Sequence, residues 1–351
     1  MLITILAFYM CIQIGYLLLD NRTNNIKMMN TVLSLLVFSI YFILFFFKNE
    51  KFGADTLNYI TEFTNYCRFP ANYIGLDYTY LMIFKFINLL MLGNCEVSWL
   101  MWIWPLFIIG LTIYLCMHFK IEMLYIIALF SSFIGGELLT NAMRQGFSLA
   151  ILMLAFCFYL NKKYVSFLFF SALSLLFHQA SFLIIAIVIS SRFSYKIFMP
   201  GVFVSIYLAF FTSYLDFLPG VEGFRTSILR YLPYSSDDFI VRLISILTLI
   251  ITYVVFLWVL RKEIFRSLKS LNTMNNIICI CMIVSMVPYF GFRIVYGIYP
   301  LFLLLAYTEI KKINGQSFLF LSIITLINSV ITIVWLSASS YMRSISFVNI
   351  T

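Results

Sequence analysis

A chain of 351 residues with 63% hydrophobic side chains, 11% charged ones and a mean hydropathy of +1.01 is too apolar for a water-soluble protein. It is long enough for many spans of about 20 residues each. Thirty-nine Phe and 23 Tyr with few Gly or Pro, and no train of alternating ten-residue strands, exclude an outer-membrane barrel and predict an all-α, polytopic integral membrane protein. The formal charge of +9 calls for no nucleic acid, because it can be assigned to the loops on one side of a membrane.

Taken in chain order, the first apolar run, 2–19, has no basic leader and no small-residue cleavage site. Arg22 and Lys27 follow it, so it is expected to be a retained helix. Further runs fall near 31–47, 98–117, 122–135, 143–160, 164–177, 179–191, 197–214, 241–260, 274–290, 294–308 and 316–337, which predicts about 12 transmembrane helices. A shorter run, "YLMIFKFINLLMLG" at 80–93, carries Lys85 and Asn88 and is expected to lie in the interface or to dip in and return. With the N-terminus outside, the inner loops hold thirteen Lys and Arg against four Asp and Glu, and the outer segments hold ten of each. The whole excess of positive charge then sits inside, as the positive-inside rule requires. Two hydrophilic segments, 48–97 and 215–240, face outward, and the absence of linkers, low-complexity tracts and repeats predicts a single transmembrane domain over 1–351. The seven cysteines show no CxxC or Cys/His spacing, so no metal site is expected; Cys67 and Cys95 share the first outward segment and could pair.

Chemistry is sought where ionisable groups approach membrane depth, since such groups are costly and few: Glu137, Arg144, His178 and Arg293. Arg144 and Arg293 each stand where a helix is expected to begin on the outer side. A guanidinium there, with the free N–H groups of the helix start, suits a phosphate or pyrophosphate. Either arginine alone could equally snorkel to headgroups or pair with Glu137 or Asp55; the matched pair favours anion binding. His178 lies 34 residues beyond Arg144, the length of one helix inward, the turn "NKKY" and one helix back, so the two are expected at similar depth. Beside Gln179 and Ser181 it is a candidate general base, against the plainer reading of a structural histidine; His118, on the inner side, is given no role. In "FGADTLNYITEFTNY" (52–66), Asp55, Tyr59, Glu62 and Tyr66 recur at helical spacing on one face, and "GLDYTY" adds Asp77 and Tyr78. Carboxylates accept sugar hydroxyls and aromatic rings stack on pyranoses, which makes these residues candidates for sugar binding. A solvated interfacial helix with a tyrosine belt would read the same way.

In this order "GADTLNY", "DYTYLMIFKFINLL", "MRQGFSLAI", "FHQAS" and "FRIVYGIYP" resemble the EpsG/Wzy family of bacterial polysaccharide (O-antigen) polymerases, across roughly residues 50–300. Gly146 and Phe147 after Arg-Gln depart from its pattern. The resemblance implies a glycosyltransferase of GT-C-like architecture in the cytoplasmic (inner) membrane with its active site facing the periplasm. It would join undecaprenyl-pyrophosphate-linked repeat units, donor and acceptor both lipid-linked, without metal or other cofactor, and with a separate chain-length regulator as partner. Arg144 and Arg293 would bind pyrophosphate, His178 or Asp55 would be the base, and Tyr59, Glu62, Tyr66, Asp77 and Tyr78 would hold sugar. The rival class is a lipid-linked oligosaccharide flippase, which also wants twelve spans and interior charge but usually shows two related halves with midplane charges. An integral-membrane acyltransferase would also use a histidine.

Overall fold

The computed structural model describes residues 10–14, parts of 28–39, 54–68, 78–140, 142–178, 180–191, 193, 239–261, 263, 268–285, 291–313 and 315–338. Every regular element among these is a helix, so the all-α expectation holds. Those with full bounds are α1 (Ala54–Arg68), α2 (Tyr78–Leu90), α3 (Val97–His118), α4 (Leu124–Phe130), α5 (Phe133–Thr140), α6 (Met143–Leu160), α7 (Tyr164–Phe177), α8 (Ala180–Ser190), α9 (Phe239–Val259), α10 (Leu268–Ser285), α11 (Gly291–Ile313) and α12 (Ser317–Ala338). Three segments among the described residues are long and apolar enough to cross a membrane, Val241–Val259, Phe292–Ile313 and Ser317–Trp335, or four if α5 and α6, bent by 111°, form one broken span. Shorter apolar stretches occur in α2, α3, α7, α8 and α10. The chain is thus a helical membrane protein. The expected runs at 2–19 and 31–47 are described only in part, and the run at 197–214 lies outside the described residues, as does nearly all of the outward segment 215–240.

The chain divides into two units, one of residues 1–178 with 321–351 and one of residues 179–320. In the first, α1, α2 and α3 each contribute apolar side chains to one cluster. Tyr59, Phe63 and Tyr66 of α1, Phe84 and Ile87 of α2, and Ile103 and Trp104 of α3 are buried together. The ring of Phe84 meets Phe63 edge-on at 5.2 Å and Tyr66 at 5.8 Å. Cys67 and Cys95 are joined by a disulfide with a Cα–Cα distance of 6.1 Å, which ties the last turn of α1 to the turn that follows α2. Helix α2 has 13 residues, a length of about 20 Å against a hydrocarbon core of about 30 Å. It leaves Met82, Phe86, Leu89 and Leu90 exposed, an apolar side suited to the interface the sequence assigned it.

The run 122–135, expected as one span, is two helices broken at Ser131 and Ser132. The Ser132 hydroxyl turns back onto the Leu129 carbonyl and accepts the Gly135 N–H at 2.9 Å, capping α5. A Cβ on Gly135 would lie 2.1 Å from the Leu129 oxygen, so only glycine permits this close turn. A break in apolar surroundings leaves carbonyls that need donors. Helix α12 supplies them: Asn328 Nδ2 donates to the Ala128 carbonyl and Thr332 Oγ1 to that of Ser131, both at 2.8 Å. The ring of Phe133 packs 4.4 Å from Trp335 alongside.

In the second unit α9 and α10 are antiparallel. Arg242 Nη1 lies 3.4 Å from the Ser285 carbonyl near one end, and further along the Tyr253 hydroxyl bonds to Asn275 Oδ1. Helix α10 begins at Leu268, six residues before the apolar run that announced it, because its polar first half is used. Asn276 Nδ2 donates to the carbonyls of Ser191 (2.8 Å) and Phe193 (3.1 Å), and Asn272 to that of Phe193 (3.2 Å), satisfying the frayed end of α8. Helix α11 packs against α9 and α10 and is buried along most of its length.

Candidate functional site

The helical hairpin α6–α7 carries the first site. Its turn is set by Asn161, whose side-chain amide donates to the Cys157 carbonyl at 2.8 Å, and by Lys162 in the left-handed region at φ 61°. At the other end of the hairpin Ser148 and Ser174, both fully buried, clasp each other. Ser148 Oγ donates to the Ser174 carbonyl at 2.9 Å, Ser174 Oγ to the Ser148 carbonyl at 3.0 Å, and the hydroxyls are 2.9 Å apart. Arg144 precedes Ser148 by four residues and His178 follows Ser174 by four. On antiparallel neighbours, each is therefore one turn, about 6 Å, beyond the clasp in the same direction. The register of the clasp is thus in keeping with the 34-residue spacing of the sequence.

Arg144 occupies the first turn of α6, partly buried. His178 ends α7: its N–H donates to the Ser174 carbonyl at 3.2 Å, its backbone leaves the helix extended, and its imidazole is partly buried. Phe147 wedges behind the pair, edge-on to Phe177 at 4.6 Å, Trp104 at 5.3 Å and Phe107 at 5.8 Å, and so ties the start of α6 to the end of α7 and to α3. Gly146 lets the chain cross α5: a Cβ there would stand 2.2 Å from the Leu138 carbonyl oxygen. The two residues that departed from the expected pattern thus have packing reasons and leave Arg144 in place.

Phe147 also packs against the cluster shared by α1, α2 and α3, which sets these helices next to the α6–α7 end. Within α1 the structure redistributes the expected sugar-binding face. Tyr59 (6% exposed) and Tyr66 (4%) turn their rings into the core with Phe63, so those ring faces are occupied by protein neighbours. Glu62 is partly buried, and the exposed polar side of α1 is Asn58, Thr61 and Asn65. The backbone of Asp55 lies in the first turn of α1 and that of Tyr78 opens α2. Their side chains, and all of Asp77, fall outside the described residues. Arg293 belongs to the second unit, in the first turn of α11, with its guanidinium 6.0 Å from the Phe292 ring centroid. His118 stands at the C-terminal end of α3 among the rings of Tyr114, Phe119 and Phe158, far along the helix from Trp104. Among the described residues no three His, Cys, Asp or Glu side chains converge as metal ligands would.

The Ser–Ser clasp was not anticipated; its signal was the small or hydroxylic set Gly146, Ser148, Ser171 and Ser174 on two helices joined by a short turn.

A family model, that of the EpsG family, matches residues 4–349. The chain belongs to the EpsG family. No curated protein and no solved structure matches it. EpsG-family proteins are of the polysaccharide-polymerase type, which gives this membrane protein a role in polysaccharide biosynthesis of a glycosyltransferase-like kind.

Proposed function

We propose that this EpsG-family chain is an O-antigen or exopolysaccharide polymerase that joins undecaprenyl-pyrophosphate-linked repeat units on the outer face of the cytoplasmic membrane. The observation that carries the reading is the Ser148–Ser174 clasp, which sets the backbones of Arg144 and His178 one turn beyond it on the same side, with the polar face of α1 beside that end. A cation suited to phosphate and a base suited to a hydroxyl proton are the two groups a glycosyl transfer from a lipid pyrophosphate requires. A hydroxyl oxygen of the acceptor unit attacks the anomeric carbon of the donor, and a new C–O bond forms as the bond to the pyrophosphate breaks. The bonding pair leaves with the lipid pyrophosphate, whose charge Arg144 stabilises, and the hydroxyl proton passes to His178, or to Asp55 in the alternative assignment. Arg293 is the pyrophosphate-binding cation of the second unit. Glu62 and the exposed Asn58, Thr61 and Asn65 offer the saccharide its hydrogen bonds. The Cys67–Cys95 disulfide supports an outward placement of the 48–97 segment, since such bonds persist on the oxidising side of the membrane.

Purified protein in detergent, given lipid-linked repeat units, is expected to lengthen the glycan. His178→Ala should slow this by about 10²- to 10⁴-fold, the usual contribution of a general base. Arg144→Ala should cost at least about 10²-fold, with Lys restoring little because an ammonium lacks the bidentate fork. In cells the His178 variant should still cap lipid A with single units while ladders vanish. Loss of the single-unit band together with the ladder would instead mark a flippase, and normal ladders would remove His178 from the mechanism.

A further inference from the structure

Two hydrogen bonds end on one carbonyl at the close of α7. The Ser174 carbonyl accepts the backbone N–H of His178 at 3.2 Å and, from across the hairpin, the hydroxyl of Ser148 at 2.9 Å. A carbonyl oxygen has two lone pairs, and here both are used. The bond from His178 closes the last turn of α7, after which the backbone runs extended. Helix ends fray, and a bond at the long end of the usual range is a weak hold by itself. Ser148 fixes the acceptor from the neighbouring helix. The point from which His178 hangs is therefore set by α6, the helix whose first turn carries Arg144.

The other arm of the clasp differs in one respect. Ser174 Oγ donates at 3.0 Å to the Ser148 carbonyl, which lies within α6 and takes no bond from His178. With one proton each, the two hydroxyls serve the two carbonyls, so alanine at either position removes one arm and keeps the other. Both side chains are fully buried. The arms are thus matched in number, kind and depth, and only that of Ser148 reaches the carbonyl that holds His178.

We propose that Ser148 is a positioning residue for His178, acting through the Ser174 carbonyl, while the Ser174 hydroxyl is a strut between the helices. This rests on the reading of His178 as the base of the transfer. A base works only within hydrogen-bond reach of the proton it takes, and a displacement of about 1 Å can cost about 10²-fold. The contact of Phe147 with Phe177, at 4.6 Å, depends on neither hydroxyl and limits the displacement, so a smaller loss is expected.

Ser148→Ala and Ser174→Ala, compared in the full-length protein in detergent, test this. Amide hydrogen exchange over residues 175–178, read by mass spectrometry, should quicken about five- to tenfold in Ser148→Ala and stay near wild type in Ser174→Ala. In glycan lengthening with lipid-linked repeat units, Ser148→Ala should lower kcat about tenfold with KM unchanged, the mark of a group that works in the transition state, and Ser174→Ala should cost less than about twofold. Added to His178→Ala, Ser148→Ala should cost less than about twofold more, because no imidazole is left to place. Equal exchange in the two single variants, a wild-type kcat in Ser148→Ala, or an undiminished loss in the absence of His178 would each overturn the proposal and leave Ser148 a strut like Ser174. If exchange separates the two variants as expected but wild type lengthens no glycan, the anchoring of His178 by Ser148 stands and the polymerase reading falls.

Discussion

Two glycines of neighbouring helices separate packing from tolerance at the scale of one residue. Gly146 in α6 faces the Leu138 carbonyl so closely that any Cβ must push α5 away, whereas a Cβ on Gly110 in α3 meets nothing within 4 Å. Gly146→Ala is therefore expected to destabilise the protein by about 1–3 kcal/mol and to displace Arg144, two residues away. Gly110→Ala should be neutral or stabilising by up to about 1 kcal/mol, since glycine is the poorer helix former. Thermal unfolding in detergent with a glycan-lengthening assay checks both, and equal behaviour of the two would contradict the close approach. The level placement of Arg144 and His178 was legible because a 34-residue spacing across a four-residue turn leaves an antiparallel hairpin little freedom of register. The fate of Tyr59 and Tyr66 was not legible. A stripe at i, i+4, i+7 and i+11 marks one face of a helix without saying whether that face meets sugar or protein, and Phe63, within the same stripe, decided it for the core.

At the scale of the element, hydropathy located the long helices well. The expected 164–177 coincides with α7, and 316–337 differs from α12 by one residue at each end. It failed where polar side chains replace continuous backbone bonding. Serines inside an apolar run read as tolerated passengers, yet Ser131 and Ser132 end one helix and begin another, made possible by Asn328 and Thr332 nearly 200 residues away. The same physics moved the start of α10 back to Leu268, where asparagines that lower the hydropathy are satisfied by the end of α8. Asn328→Leu keeps the volume but leaves the Ala128 carbonyl without its amide donor. A loss of about 1 kcal/mol is expected, with Thr332→Val adding a similar amount. A double variant as stable as wild type would show that the break at Ser131 needs no help from α12.

At the scale of the whole molecule the charge pattern predicts sidedness: a reporter fused after Asn72 should be active only outside and one after Lys269 only inside. An inward Asn72 would sink both the topology and the sugar-handling role of the 48–97 segment. The disulfide provides an independent check, because the bond can persist only if Cys67 and Cys95 reach an oxidising compartment. With a sequence separation of 28 between its partners, it should contribute about 3–4 kcal/mol on the chain-entropy estimate, and Cys67→Ser should lower the melting temperature accordingly. That bond also carries a clock. Both of its cysteines lie in the first third of the sequence, and the chain from α4 to α12, residues 124–338, is synthesised after them. At about 5–20 residues per second, ten seconds or more pass before the last of these helices leaves the ribosome, and thiol oxidation needs only seconds when catalysed. The segment that carries α1 and α2 can thus be cross-linked while α6 and α7 are still unmade, so the polar cover is finished before the helices it will lie beside, and they must assemble against a surface already fixed.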